Sequence, residues 1–279
     1  MNSLLRKYNA GKLLKSVLKA PSYYKRSLFP DLYPQSLFFY TFHKSASTLF
    51  SKYILHNISG YHYIDYADQI YSGFRNSHSR LSFKSNGFIY GPIRVSSDSG
   101  PVFESVVKPL TSSEFLRDKS TIIFVRDPRD LLVSEYYSYG KSHGFSNVPE
   151  IMDRQLRLRD KITKLSLDEY VLDAVDRKIA SFSVATSVVN QSSSCLLLRY
   201  EDMINQFDKF SLALKSSLPI SQSVLDKIYS ASRPISAEDV NSHKRSGIVG
   251  SYNSKLKDET VRELNSRLAN VLVSFNYDT

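Results

Sequence analysis

Five short apolar runs, separated by helix-patterned stretches, constrain the fold of this chain more than any other feature. They are Leu37 to Phe42, Tyr61 to Tyr66, Phe88 to Val95, Thr121 to Val125 and Cys195 to Arg199. Strands that alternate with helices predict βαβ units, whose strands lie parallel in one sheet. A parallel sheet is covered on both faces, so its central strands are apolar at every position rather than at every second one. The runs that begin at Thr121 and Cys195 have that continuous character. The expectation is an α/β domain of three layers, α/β/α, around a central, mainly parallel sheet. Ligands of such sheets bind beyond the carboxyl ends of the strands, so the residues that follow the runs are the candidates for function.

A chain of 279 residues buries roughly 70–75% of its unfolded surface, enough for one sizeable domain with appendages. Residues 1–36 read as a basic N-terminal extension and 37–279 as the domain proper, divided by the breakers Pro30 and Pro34. The extension carries Arg6, Lys7, Lys12, Lys15, Lys19, Lys25 and Arg26 against one acid, Asp31, with Leu4, Leu5, Leu13, Leu14, Val17 and Leu18 among them. That pattern predicts a short basic amphipathic helix, either packed on the domain or in peripheral contact with a membrane or an acidic substrate. No run reaches the 18–20 apolar residues of a membrane span. The net charge of +10 favours an anionic partner without choosing among nucleotide, nucleic acid, glycan and membrane. Cys195, the single cysteine, excludes an internal disulfide and fits a reducing, cytoplasmic setting. His56, His62, His78, His143 and His243 are scattered without metal-ligand spacing, so no metal is expected.

Helix signals are clearest at Asp127-Pro128, a cap followed by a proline at the first helical position. The segments Leu167 to Val189 and Val261 to Phe275 carry apolar stripes. Between Gly144 and Lys164 the chain is polar and charged, which reads as a surface connection or lid.

The stretch FFYTFHKSASTLFSKYIL, Phe38 to Leu55, passes from an apolar strand through a lysine and a cluster of hydroxyls into a helix. Such a turn aims backbone N–H groups at an anion, to which Lys44 adds a charge and Ser45, Ser47 and Thr48 add hydroxyl donors. The nucleoside triphosphate loop GxxxxGK[ST] supplies glycines for close backbone approach, and this turn has none. An exposed turn with a helix cap is the plain alternative. A second stretch, STIIFVRDPRDLLVSEYYSY, ends a strand on Arg126 and places Ser134 about 9 Å along the helix that follows, on the side of Asp127 and Asp130. A guanidinium there suits phosphate oxygens, the alternative being a pair with Asp127 or Asp130.

Together these stretches resemble the two signatures of the sulfotransferases that use 3′-phosphoadenosine 5′-phosphosulfate, PAPS. The family's loop reads approximately PKSGTT and stands here as His43-Lys44-Ser45-Ala46-Ser47-Thr48, while Arg126 and Ser134 match its pair for the 3′-phosphate. LLLRYEDM resembles the family's strand and turn near the adenine, with Tyr200 in the aromatic position. RSGIVGSYNSKL resembles its RKGxxGxW segment over the 3′-phosphate, with Arg245, Ser246 and Gly247 at the first three places and Tyr252 for the tryptophan. The resemblance spans Phe38 to Leu256 and implies a P-loop nucleotide-hydrolase-like fold, PAPS as donor, no metal, and transfer of a sulfuryl group to an acceptor hydroxyl or amine.

On that reading Lys44 stabilises the leaving oxygen, and the acceptor needs a general base. The stretch Ile89 to Pro109 holds no histidine. Asp65 is the preferred base, with Asp68, His62, Asp98 and Glu104 behind it and His43 beside the lysine. Arg94 is available to an acidic acceptor; an acidic glycan, another carbohydrate and a small alcohol all remain open. The rival readings are a P-loop kinase, a nucleotide-binding protein without turnover, and a nucleic-acid-binding protein. The last is disfavoured because the anion-binding residues sit at strand ends instead of interleaving with aromatics on one face.

Overall fold

A computed structural model of the chain describes residues 21–65, 83–96, 102–234 and 247–278. All five expected strands are present: β1 (Leu37–Thr41), β2 (His62–Asp65), β3 (Phe88–Arg94), β4 (Ser120–Val125) and β5 (Ser194–Arg199). They form one sheet in the order β2-β3-β1-β4-β5, and every pairing is parallel. The central strand β1 is buried at all five positions, whereas the edge strands β2 and β5 are partly open. Continuous burial at the centre is why β1 and β4 read as unbroken apolar runs.

Successive residues of a strand face opposite sides, and the two cores separate accordingly. Phe38, Tyr40, Ile123 and Val125 face one side. There they meet the helices α2 (Pro128–Tyr137), α4 (Leu167–Gln191) and α8 (Asp258–Ser274). Leu37, Phe39, Ile122 and Phe124 face the other. That side is covered by α1 (Ser47–Tyr53), α5 (Tyr200–Asn205), α6 (Phe207–Ser217) and α7 (Gln222–Ser232). The molecule therefore has three layers, α/β/α.

Aromatic pairs seat the elements nearest the carboxyl edge. Phe50 of α1 stacks on Phe39 of β1 with ring centroids 4.7 Å apart. Phe42, the residue after β1, stacks on Phe182 of α4 at 4.3 Å. Stacked pairs of this kind add about 0.5–1.5 kcal/mol beyond the area they bury. They fix both ends of the turn between β1 and α1.

One stretch differs from the sequence reading. The supposed surface connection contains a 15-residue helix, α3 (Pro149–Thr163). Ile151, Leu158 and Ile162 pack against the core, and Arg157–Asp153 and Lys164–Asp160 pair across the outer side. Three apolar residues in a strongly charged segment make a thin stripe, which the outer charges concealed. Residues 21–28 are helical and pack at the amino ends of β2 and β3, and Gln35 reaches Asp118 and Ser120 at the start of β4, while 1–20 fall outside the described residues. No described helix is long and apolar enough to cross a membrane.

Candidate functional site

From β1 the chain turns left to β3 and β2, and β4 then starts the right half of the sheet. The loops after β1 and β4 thus leave in opposite directions, opening a crevice at the carboxyl ends of two neighbouring strands. The first loop carries Lys44 and the second carries Arg126.

The turn His43–Ala46 is glycine-free yet takes glycine-like dihedrals. Lys44 has φ 67° and Ala46 φ 58°, both left-handed. Each such residue costs about 1–2 kcal/mol. Alternating handedness turns successive N–H groups towards one point and makes an anion-binding concavity. Ser45 is fully buried and donates its hydroxyl to the Phe42 carbonyl at 3.1 Å, closing the turn. Ser47 is buried and accepts from Arg94 Nη1 at 2.9 Å, and Thr48 is exposed at the start of α1. Because α1 is only 7 residues long, the turn's own amides and Lys44 carry the positive potential more than the helix end does.

Arg126 lies within hydrogen-bonding distance of that turn. Its Nη1 donates to the Lys44 carbonyl at 3.2 Å, and its Nη2 to the Ile248 carbonyl at 3.4 Å. A longer contact, 3.5 Å, joins Nη2 to Asp130. The guanidinium also lies 4.5 Å from the centroid of the Tyr200 ring. Tyr200 in turn donates its hydroxyl to the Gly247 carbonyl at 2.8 Å. Burial opposes the charge of Arg126, but Asp130, Tyr200 and Glu201 outweigh it and raise its pKa. Its Nε is buried with no protein partner. A buried, charged donor left open at the crevice is where an anionic oxygen would fit, since an orphaned group of this kind costs about 1–3 kcal/mol.

Asp130, fully buried, ties the third region to the second. It accepts from the Gly250 amide at 2.9 Å, the Ser251 hydroxyl at 3.0 Å and the Tyr252 amide at 3.1 Å. Asp127 does not pair with Arg126. It caps α2 by accepting from the Arg129 amide at 2.8 Å, and its two oxygens take Arg129 Nε at 3.0 Å and Nη2 at 2.8 Å. Tyr252 lies under Arg129 at 4.3 Å, a packing role. Ser134 sits one turn beyond Asp130 on the same side of α2, half-buried. Arg245 and Ser246 fall outside the described residues, and Gly247 has φ 75°.

His43 occupies the opposite wall of the turn, with its ring 6.3 Å from that of Tyr139. Its pKa is held well below the usual value, first by burial and then by Arg94, His143, Lys178 and Lys44. The imidazole is therefore neutral at physiological pH. Of these groups Lys178 is neutralised by Glu135, in a buried pair at 2.6 Å.

The other base candidates lie elsewhere. Asp65 pairs in register with Gly91, which falls between the partners of Phe38 and Tyr40 on β1. It is exposed, two strands across from β1, and stands about 10 Å short of Phe42 along the strand direction. His62 faces the opposite end of β2, with Nδ1 3.1 Å from the Ser22 hydroxyl. Glu104 pairs with Lys108 on the surface at 2.9 Å. Asp68 and Asp98 lie outside the described residues. Sequence reasoning gave no weight to Lys178, His143 or Glu201. Lys178 comes to His43 from α4 and His143 from the segment that follows α2, and nothing in their local sequence signals it. Among the described residues no group of three or more His, Cys, Asp or Glu could hold a metal ion.

Fold and site define a parallel α/β protein with a crevice at its topological switch point, flanked by the Lys44 turn and Arg126. Neither a protein-family model nor a curated protein matches the chain. Solved structures do. The mouse sulfotransferase SULT7A1 complexed with PAP is similar at 16% identity and a TM-score of 0.45, over 87% of this chain and 86% of that one. Retinol dehydratase in a complex with retinol and PAP is similar at 10% identity and a TM-score of 0.49, over 88% and 84%. Retinol dehydratase in complex with androsterone and inactive cofactor PAP gives 10% and 0.48, over 88% and 82%.

Proposed function

We propose that this protein is a sulfotransferase that takes PAPS as donor and moves its sulfuryl group to an acceptor hydroxyl or amine. One observation carries the proposal. Arg126, at the end of β4, donates to the carbonyl of Lys44, after β1, so the two loops form one crevice, and the arginine's buried Nε still lacks a partner.

The residues divide by the part of the donor they suit. Arg126, with Ser134 and the Gly247 segment, offers donors to the 3′-phosphate. Tyr200, buried, lies against that arginine and holds it in place, its hydroxyl tied to the Gly247 carbonyl. The amides of His43 to Thr48, with the hydroxyls of Ser47 and Thr48, offer a cradle to the 5′ end; the Ser45 hydroxyl closes the turn on the Phe42 carbonyl, and Ala46 keeps the left-handed conformation that a glycine would take more easily. PAPS when bound supplies an activated sulfuryl group. Lys44 then stabilises negative charge on the leaving oxygen, an electrostatic contribution that does not require a metal. His43 is better suited than Asp65 to take the acceptor's proton, because it is neutral and adjoins Lys44 while the sheet register sets Asp65 apart. Arg94 and Lys44 make its surroundings positive, which favours an acceptor bearing an acidic group, an acidic glycan among them. A cytoplasmic setting belongs to the same proposal and rests on the single Cys195.

The test is calorimetric binding of 3′-phosphoadenosine 5′-phosphate, PAP, together with transfer from labelled PAPS to a panel of acceptors. Arg126→Ala should weaken PAP binding by about tenfold or more through loss of charge-assisted bonds. Lys44→Ala should leave binding within a few-fold and slow transfer by roughly 100-fold. A wild-type protein that ignores PAP, or an Arg126→Ala variant with undiminished affinity, would refute the proposal.

A further inference from the structure

Behind Arg126, where β4 and β5 end, the fold encloses a carboxyl group that the proposed chemistry does not use. Glu201 Oε1 accepts from the Asp127 amide at 2.9 Å, which ties α5 to the corner between β4 and α2. Its Oε2 is buried with no protein partner. The Tyr277 hydroxyl, brought in by the segment after α8, is buried beside it and equally orphaned. With Arg126 Nε, three of the four such side-chain atoms among the described residues gather in this corner. An ionised carboxylate oxygen enclosed without a donor is costly, so the enclosure favours the neutral acid. Burial accordingly pushes the Glu201 carboxyl from 4.5 up to about 7, against the Asp127 amide and Arg126.

Most of the surrounding charges are matched in pairs. Asp127 is held by Arg129 at 2.8 Å, and Asp202 by Arg199 at 2.8 Å with Lys209 at 3.4 Å. Arg233, after α7, donates to the Met203 and Ile204 carbonyls at the other end of α5. The phenols of Tyr200 and Tyr277 are raised above their usual value, chiefly by burial, and are neutral. That leaves Arg126 between Asp130, at 3.5 Å, and Glu201. With Glu201 ionised, two carboxylates outnumber one guanidinium and oppose an arriving phosphate. With it neutral, the charges balance. By linkage, an anion that prefers the neutral form must draw a proton onto Glu201 as it binds.

We propose that Glu201 is a positioning residue for the Arg126 site: neutral, it leaves the arginine's charge available to an anion, and it gains a proton as phosphate binds there. This inference rests on the reading of Arg126 as a phosphate site. The test is calorimetry of the full-length protein with PAP, and separately with inorganic phosphate, in buffers of different ionisation enthalpy. Near pH 7.5 binding should take up about half a proton. Glu201→Gln keeps the acceptor for the Asp127 amide and should abolish that uptake. The two proteins should bind PAP alike near pH 6, while near pH 8.5 the variant should bind about tenfold more tightly. A role confined to packing would move neither the uptake nor the pH profile. Binding of PAP without proton uptake, or an uptake that Glu201→Gln retains, would overturn the inference and leave the donor reading standing. Inorganic phosphate that binds with the uptake, where PAP does not bind, would uphold the inference and remove the donor. A protein that binds neither would remove both.

Discussion

Ala46 stands where the turn needs a left-handed residue, with φ 58° and no glycine to take it. Replacing it with glycine removes a strain of about 1–2 kcal/mol and adds back unfolded-state entropy of about 0.4–1 kcal/mol. Ala46→Gly should therefore stabilise the protein by roughly 0.5–1 kcal/mol in urea denaturation. Glu201 is a second residue-scale case. Burial pushes its carboxyl from 4.5 up to about 7, although it accepts from the Asp127 amide and lies near Arg126. Between those two values the folded state binds the proton and the unfolded state does not, so this group's contribution to stability is lost as pH rises from about 4.5 to 7. Glu201→Gln does not titrate, and it should be more stable than wild type by about 2–3 kcal/mol at pH 8, with little or no gain near pH 4.5. Chemical denaturation at both pH values measures the difference. His43 acts in the opposite sense. Its lowered pKa makes the unfolded state the better proton binder below 6.5, so its contribution is lost as pH falls from there.

At the scale of elements the placement of the turn depends on how closely β3 approaches β1. A Cβ on Gly91 would lie 2.8 Å from both Cβ and the carbonyl oxygen of Phe39, in the middle of the sheet. Gly91→Ala should cost about 1–3 kcal/mol, read as a fall in melting temperature, because the buried strand has no room to yield. Asp130 makes a similar point between α2 and the 250–252 segment, where three donors converge on one carboxylate besides Arg126. Asp130→Asn keeps the shape but turns one acceptor into a donor. It should weaken PAP binding by about tenfold in calorimetry by loosening Arg126 and the segment together. The strands and α2 were legible in sequence since their signals are local: continuous apolar runs, a capping aspartate, a proline at the first position. Helix α3 was not, because three core-facing residues among many charges leave little periodic signal.

For the whole molecule, ligand linkage gives the broadest prediction. PAP at about 100 times its Kd should stabilise the fold by about 2.7 kcal/mol and raise the melting temperature by roughly 5–10 °C, whereas ATP with magnesium should do neither. The sequence by itself determined the five strands, their parallel class and the two charged turns, because burial on both faces and turn chemistry are written into a few neighbouring residues. Only tertiary structure decided that Lys44 and Arg126, 82 residues apart in the chain, meet across one hydrogen bond. It also decided that Asp65 ends its strand short of the crevice and that Arg94 of β3 and Lys178 of α4 come close to His43. The physical reason is that strand order and register are set by long-range packing of two cores on one sheet, which no local pattern encodes.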